Sequence, residues 1–83
     1  MAEKEIGRVT NYFSKIGVAV IKLTAPLKLG DEVRIRGGTR DFHQRVESMQ
    51  VEHQSIGEAA PGQEIALKLD QKARVNDKVY KVE

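Results

Sequence analysis

The chain has 83 residues, with 14 Lys and Arg against 12 Asp and Glu for a net charge of +2, and it has no cysteine. That length accommodates one small domain, and without cysteine no disulfide or thiolate metal site reinforces it. So mild a charge excess does not by itself demand a nucleic acid. The apolar run 17–21 is too short to span a bilayer, and the charged opening Met1-Ala2-Glu3-Lys4-Glu5 leads into no signal-like stretch, so a cytoplasmic protein with no membrane partner is expected.

In chain order, residues 1–5 read as a flexible tail and 6–13 as an opening strand. Ser14-Lys15 then marks a tight hairpin into 17–23, a stretch rich in β-branched residues and too short for a stable helix. Leu29-Gly30-Asp31 supplies a glycine turn, and Glu32-Val33-Arg34-Ile35-Arg36 alternates with Val33 and Ile35 inward. Gly37-Gly38-Thr39 turns the chain into a long segment, 40–52. Within it Phe42, Gln44 and Val46 share one phase while Met49 and Val51 share the other, as a β-bulge or sharp bend would produce. Ala60-Pro61-Gly62-Gln63 has the residue order of a type II turn. Residues 64–70 alternate through Ile65, Leu67 and Leu69, and 78–82 reads as a closing strand. No stretch has helical spacing and no internal repeat is evident. The expected fold is all-β: a small closed antiparallel β-barrel of six to seven strands, one domain over residues 1–83, with closure removing the exposed edges.

Few residues carry recognisable chemistry. No G-x-x-x-x-G-K-[S/T] loop is present, so no nucleotide triphosphate is expected. His43 and His53 are the two histidines, isolated and without cysteine support, so neither a metal nor any other cofactor is expected. No nucleophile stands beside an evident base, so no catalytic residue is assigned and the chain is expected not to be an enzyme. One constellation remains. Arg34, Arg36, Arg40 and Arg45 surround Gly37-Gly38-Thr39, and arginine forks suit phosphate oxygens. These four are the candidate nucleic-acid-binding residues, with Phe42 as a stacking platform and Tyr12 as a second. The competing assignment pairs the same arginines with Glu32, Asp41 and Glu47 across neighbouring strands.

The ordered motifs resemble a known family. An opening Gly7-Arg8-Val9 and the apolar strand Gly17-Val18-Ala19-Val20-Ile21 precede Leu27-Lys28-Leu29-Gly30-Asp31-Glu32-Val33-Arg34-Ile35. Glu58-Ala59-Ala60-Pro61-Gly62-Gln63-Glu64-Ile65-Ala66-Leu67 follows later. This set is similar to the translation-protein β-barrel, the second domain of elongation factor Tu and its relatives, from about Ile6 to Val82. The resemblance implies a stand-alone, non-catalytic module that binds tRNA or ribosomal RNA, or the ribosome, with the GTPase absent. Asn76 stands where these barrels place glycine before an aspartate, and asparagine tolerates the left-handed conformation required there. A second similarity, carried by residues 42–51 and by Ser48-Met49-Gln50, is to the small C-terminal barrel of collagenase-like peptidases. It implies the alternative function, a protein-interaction adaptor docking on a larger protein partner. That alternative predicts a contiguous apolar patch on one outer wall, drawing on Val18, Val20 or Phe42.

Overall fold

Period-two alternation becomes strand almost wherever it occurs. The computed structural model describes residues 3–52 and 54–82. In it the strands are β1 (Glu3–Phe13), β2 (Val18–Leu23), β3 (Leu27–Lys28), β4 (Glu32–Gly37), β5 (Arg40–Arg45), β6 (Met49–Val51), β7 (Gln54–Ile56), β8 (Glu58–Ala59), β9 (Glu64–Lys68) and β10 (Lys78–Val82). Eight of them make one antiparallel sheet in the order β5-β4-β10-β1-β2-β9-β6-β7, and β3 pairs with β8 apart from it. Each long strand buries one face, contributing Ile6, Val9, Ala19, Ile21, Val33, Ile35, Ile65, Leu67 and Val79 to a single apolar cluster. Phe42 on β5 and Met49 on β6 join that cluster from opposite ends of the sheet order. The sheet is therefore coiled around its core.

Several expectations need correcting. Among the described residues the ladder does not close: β5 and β7 are its two ends, and no strand pairing joins them. The strand count exceeds six to seven because β3, β6, β7 and β8 are only two or three residues long, too short to show alternation. Residues 3–5 are not a tail. Glu3, Lys4 and Glu5 pair with Val82, Lys81 and Tyr80, whereas Met1 and Ala2 lie outside the described residues. The phase change within 40–52 is a break between two strands, because β5 pairs with β4 and β6 pairs with β9. The irregularities sit in β1 instead. Its register slips against β10 between Glu5 and Gly7, and against β2 between Val9 and Asn11. The first slip buries Ile6 and Gly7 together, and a Cβ on Gly7 would stand 2.5 Å from the Lys22 carbonyl oxygen. The second turns Tyr12 against the core and Phe13 outward.

One turn design launches three core strands. In Lys28-Leu29-Gly30-Asp31, Asp31 N donates to Lys28 O (3.2 Å), Lys28 N donates to Asp31 Oδ2 (2.9 Å), and Gly30 has φ 90°. Ala60-Pro61-Gly62-Gln63 repeats it, with Gln63 N to Ala60 O at 3.3 Å, Ala60 N to Gln63 Oε1 at 2.7 Å and Gly62 at φ 89°. In Arg74-Val75-Asn76-Asp77 the distances are 3.1 Å and 2.9 Å, and Asn76 takes φ 77°. Positive φ at the third position is what a type II turn requires, and Asn76 meets it in place of glycine. The polar side chain at the fourth position closes each turn from the other side, satisfying an N–H that no ladder reaches. β4, β9 and β10 follow directly.

The open edge of β5 meets the chain leaving β9 at a seam that one side chain spans. Gln44 points inward from β5 and is buried. Its Nε2 donates to Lys68 O and its Oε1 accepts from Asp70 N, both at 2.8 Å. The amide thus makes, with the chain leaving β9, the two bonds that a neighbouring strand's peptide would make. Just beyond it Val46 N donates to Asp31 O and Gly30 N to Val46 O, both at 2.8 Å. From there residues 46–48 carry the chain across the seam to β6. Gln44→Leu keeps the volume and strips both side-chain bonds. We expect a loss of about 1–3 kcal/mol, read as a lower urea midpoint at unchanged slope. Wild-type stability in this variant would mean that packing alone holds the seam.

Candidate functional site

The outer surface of β5-β4-β10-β1 is a charged wall whose rows follow from strand register. His43, Arg34, Tyr80 and Glu5 are successive cross-strand partners, and Arg45, Glu32, Val82 and Glu3 form the next row. Arg34 sits at the centre. Its Nη1 donates to Glu3 Oε1 at 2.9 Å, and its Nε donates to Asp41 Oδ1 at 2.7 Å. The hydrogen bonds to Asp41 and then Glu3 hold the Arg34 guanidinium above its ordinary pKa, and the bond from Arg34 is the main cause lowering Asp41. Arg36 Nε lies 3.8 Å from Asp41 Oδ2, and His43 Nε2 lies 3.8 Å from Glu3 Oε2. Arg45 faces outward opposite Glu32. His53 lies outside the described residues.

Arg40 belongs to a different place. It shares the inward phase of Phe42 and Gln44, so its side chain turns to the mouth of the coil rather than to the wall of Arg34. There its Nε donates to Asp77 Oδ2 at 2.9 Å and its Nη2 to Asp77 Oδ1 at 2.6 Å. Asp77 is 2% exposed, and Oδ2 also accepts from Arg74 N. Gly37 makes room, since a Cβ there would overlap the carboxylate. The fork-to-fork bond from Arg40 holds Asp77 below the usual carboxylate range, opposed by burial and assisted by the Arg74 amide. Phe42 is 7% exposed within the core, so its ring face is not open to a base, and Tyr12 packs against the same cluster. The four arginines and Phe42 do not make one surface: three arginines face outward, and the fourth is spent on holding a turn.

The other wall, β1-β2-β9, carries a feature of opposite character. Phe13 pairs with Val18, Val20 pairs with Ala66, and Val18 and Val20 share the outward face of β2. Phe13 is 47% exposed and Ile16, in the adjoining loop, is 62% exposed. Val18, Val20 and Ala66 are half-buried. Phe13, Val18, Val20 and Ala66 form a continuous apolar strip bordered by Lys68, Asn11 and Gln50. Of its members only Val18 and Val20 are legible in the sequence, as alternate residues of one strand. Phe13 and Ala66 join through register, which no run of sequence displays.

Among the described residues no group of three or more His, Asp or Glu side chains is placed to hold a metal ion. No hydroxyl of a serine or threonine bonds a histidine there, and no helix is long and apolar enough to cross a membrane.

Comparison with known proteins places this geometry. No protein-family model matches the chain. An uncharacterized protease of Methanocaldococcus jannaschii is 40% identical over 77 residues, which is 92% of this chain and 19% of that protein. A collagenase of Porphyromonas gingivalis is 36% identical over 78 residues, 92% of this chain and 22% of the collagenase. The chain thus spans about a fifth of the length of the curated relatives it matches. The fold is that of the C-terminal domain of a Geobacillus thermoleovorans chain assigned as a U32 peptidase. The TM-score is 0.90 at 23% identity, covering 96% of this chain and 93% of that one. These findings overturn the resemblance to the second domain of translational GTPases, and with it the assignment as a translation-factor-like module for RNA or the ribosome. They follow the second similarity instead.

The Arg40–Asp77 pair generates a pH dependence of defined sign. Because the folded pKa of Asp77 is lowered, the stability it contributes is complete above the unfolded carboxylate value of about 3.9. That stability is lost as pH falls through the lower, folded value. In Asp77→Asn the carboxylate is gone, so unfolding free energy measured between about pH 4 and pH 2 is expected to fall less steeply than in the wild type. Equal slopes would show that other carboxylates, Asp41 among them, govern the acid limb.

Proposed function

We propose that the chain is a non-catalytic accessory domain of a U32-type, collagenase-like peptidase, and that it docks on the larger body of that enzyme. The apolar strip of Phe13, Val18, Val20 and Ala66 carries this reading. Exposed apolar area that is continuous and rimmed by polar residues marks an interaction surface more than solitary exposed residues do. The relatives add the context: a protease and a collagenase in which a segment like this chain accounts for about a fifth of the length. Reaction chemistry would reside in the remainder, and in this reading Gln44 makes the coiled sheet a sealed, barrel-like body that presents the strip rigidly.

A charge in the middle of the strip tests the reading. Val20→Lys leaves the inward partners Ala19 and Ile21 in place, so the fold is expected to persist with a circular dichroism spectrum like that of the wild type. Tagged wild-type chain in lysate of the source organism is expected to capture a peptidase of this class, identified by mass spectrometry. The variant is expected to lose it by tenfold or more, about 1.4 kcal/mol. Absence of any such peptidase from the wild-type capture, or equal capture by the variant, would count against the proposal.

A further inference from the structure

Strand register assembles a second surface from residues that lie far apart in the sequence. Arg36 pairs with Lys78, Lys78 with Arg8, and Arg8 with Lys22. All four are exposed on the outer side of β4, β10, β1 and β2, four strands that are consecutive in the sheet. The row ends in a carboxylate on each side, Asp41 opposite Arg36 and Glu64 opposite Lys22. Inside it the nearest acids are loosely placed, with Asp41 3.8 Å from Arg36 and Glu5 3.8 Å from Lys78. Among the described residues Arg8 and Lys22 have no ion-pair partner within 4 Å. Like charges placed directly opposite one another weaken a sheet, so folding alone gives no reason for four cations in succession.

We infer that this row is a recognition surface for an acidic α-helix of a protein partner, laid across the strands. Neighbouring strands stand about 4.8 Å apart, so the four residues span about 14 Å at the backbone, and their long side chains can adjust around that span. A helix rises about 1.5 Å per residue, and carboxylates at i, i+3, i+7 and i+10 occupy one face over about 15 Å. Same-side residues of an extended strand are about 6.7 Å apart and drift out of step with the row. Two depressions adjoin it and leave room for such a partner's side chains. One of about 300 Å³ is lined by Glu5, Gly7, Arg8, Lys22 and Thr24, and one of about 360 Å³ lies by Arg36, Thr39 and Tyr80. The row itself holds no aromatic side chain, and Tyr80 beside it is half-buried, so the row lacks the series of open stacking platforms that single-stranded nucleic acid uses. Choosing a protein as the partner rests on the docking reading above; the row itself uses none of the residues of the apolar strip.

Four proteins and three probes test the inference. The probes are a 15-residue helical peptide with Glu at i, i+3, i+7 and i+10, a peptide of the same composition with its Glu scattered around the helix, and a uridine oligonucleotide. Titrated into isotope-labelled chain, the in-register peptide is expected to shift the amides of Arg8, Lys22, Arg36 and Lys78. Its affinity is expected to exceed that of the scattered peptide by about tenfold and to weaken as salt rises from about 50 to 300 mM. Replacing the four cations with Gln is expected to remove that binding without lowering the melting temperature, because repulsion is relieved. The pairwise variant Arg8→Gln with Lys22→Gln is expected to fall between the two. Equal binding of both peptides, tighter binding of the oligonucleotide, or shifts confined to other strands would each overturn the inference. Val20→Lys separates the two proposals: it is expected to bind the in-register peptide as the wild type does even where it no longer captures a peptidase.

Discussion

A coiled sheet of this size stands or falls on how its open edge is covered. Among the described residues ten strands wrap one apolar cluster, yet the ladder from β5 to β7 does not join itself. Left open, the seam would admit water to the backbone of β5 and to Leu67 and Leu69 beyond it. Gln44 prevents this by presenting an amide with the donor and acceptor of a peptide unit. A shorter Asn could not reach, and an apolar residue would seal the gap sterically but leave a carbonyl and an N–H without partners. The crossing of residues 46–48 at the same place gives the seam a covalent component, linking β5 to β6 and through it to β9.

The legible part of the fold is the part governed by local rules. Val33 and Ile35, or Ile65 and Leu67, announce their strands because each alternates with polar neighbours. The turns announce themselves because positive φ selects Gly or Asn. The same locality explains the misassignment to translation factors. A segment such as Leu27-Lys28-Leu29-Gly30-Asp31-Glu32-Val33 looks like a family signature. In the structure it is the solution to one mechanical problem, a type II turn closed by its fourth side chain before an inward-facing strand. The chain solves that problem again with Gln63 and again with Asp77. A motif demanded by turn chemistry recurs in unrelated small β folds, and in this chain it recurs within one. β3, β6, β7 and β8 stayed hidden for the converse reason: two or three residues hold less than two periods of alternation.

Charge was harder to read than fold, because clustering in sequence and clustering in space follow different rules in a sheet. Arg34, Arg36, Arg40 and Arg45 are neighbours along the chain, yet parity sends Arg40 inward to Asp77 and the wall absorbs Arg34 between two carboxylates. Arg8, Lys22, Arg36 and Lys78 are separated by at least a strand and a turn each, yet register sets them side by side. Predicting that row from sequence would have required three strand registers, β4 with β10, β10 with β1 and β1 with β2, including the slips in β1 that place Arg8 between its two partners. The first slip has a sequence signal, since an isolated glycine in a strand marks a bulge or a close backbone approach and Gly7 is the site of both; the second, at Val9-Thr10, has none.

The two surfaces meet on β2. Val18 and Val20 lie in the apolar strip and Lys22 ends the cation row, all three on one outer face of one strand. The core behind that face is Ala19, Ile21 and Leu23, every one of them buried, so β2 is held from within and cannot readily shift to suit a partner. A partner engaging both surfaces would therefore have to match a fixed angle, with apolar area along β2 and β9 and negative charge running across β1, β10 and β4. Apolar burial supplies most of the attraction in such an arrangement and is indifferent to direction. The charge row, lying across the strands, supplies orientation. Gln44 holds the coil to which the strands of both surfaces belong, so the two would be presented to such a partner in a fixed relation.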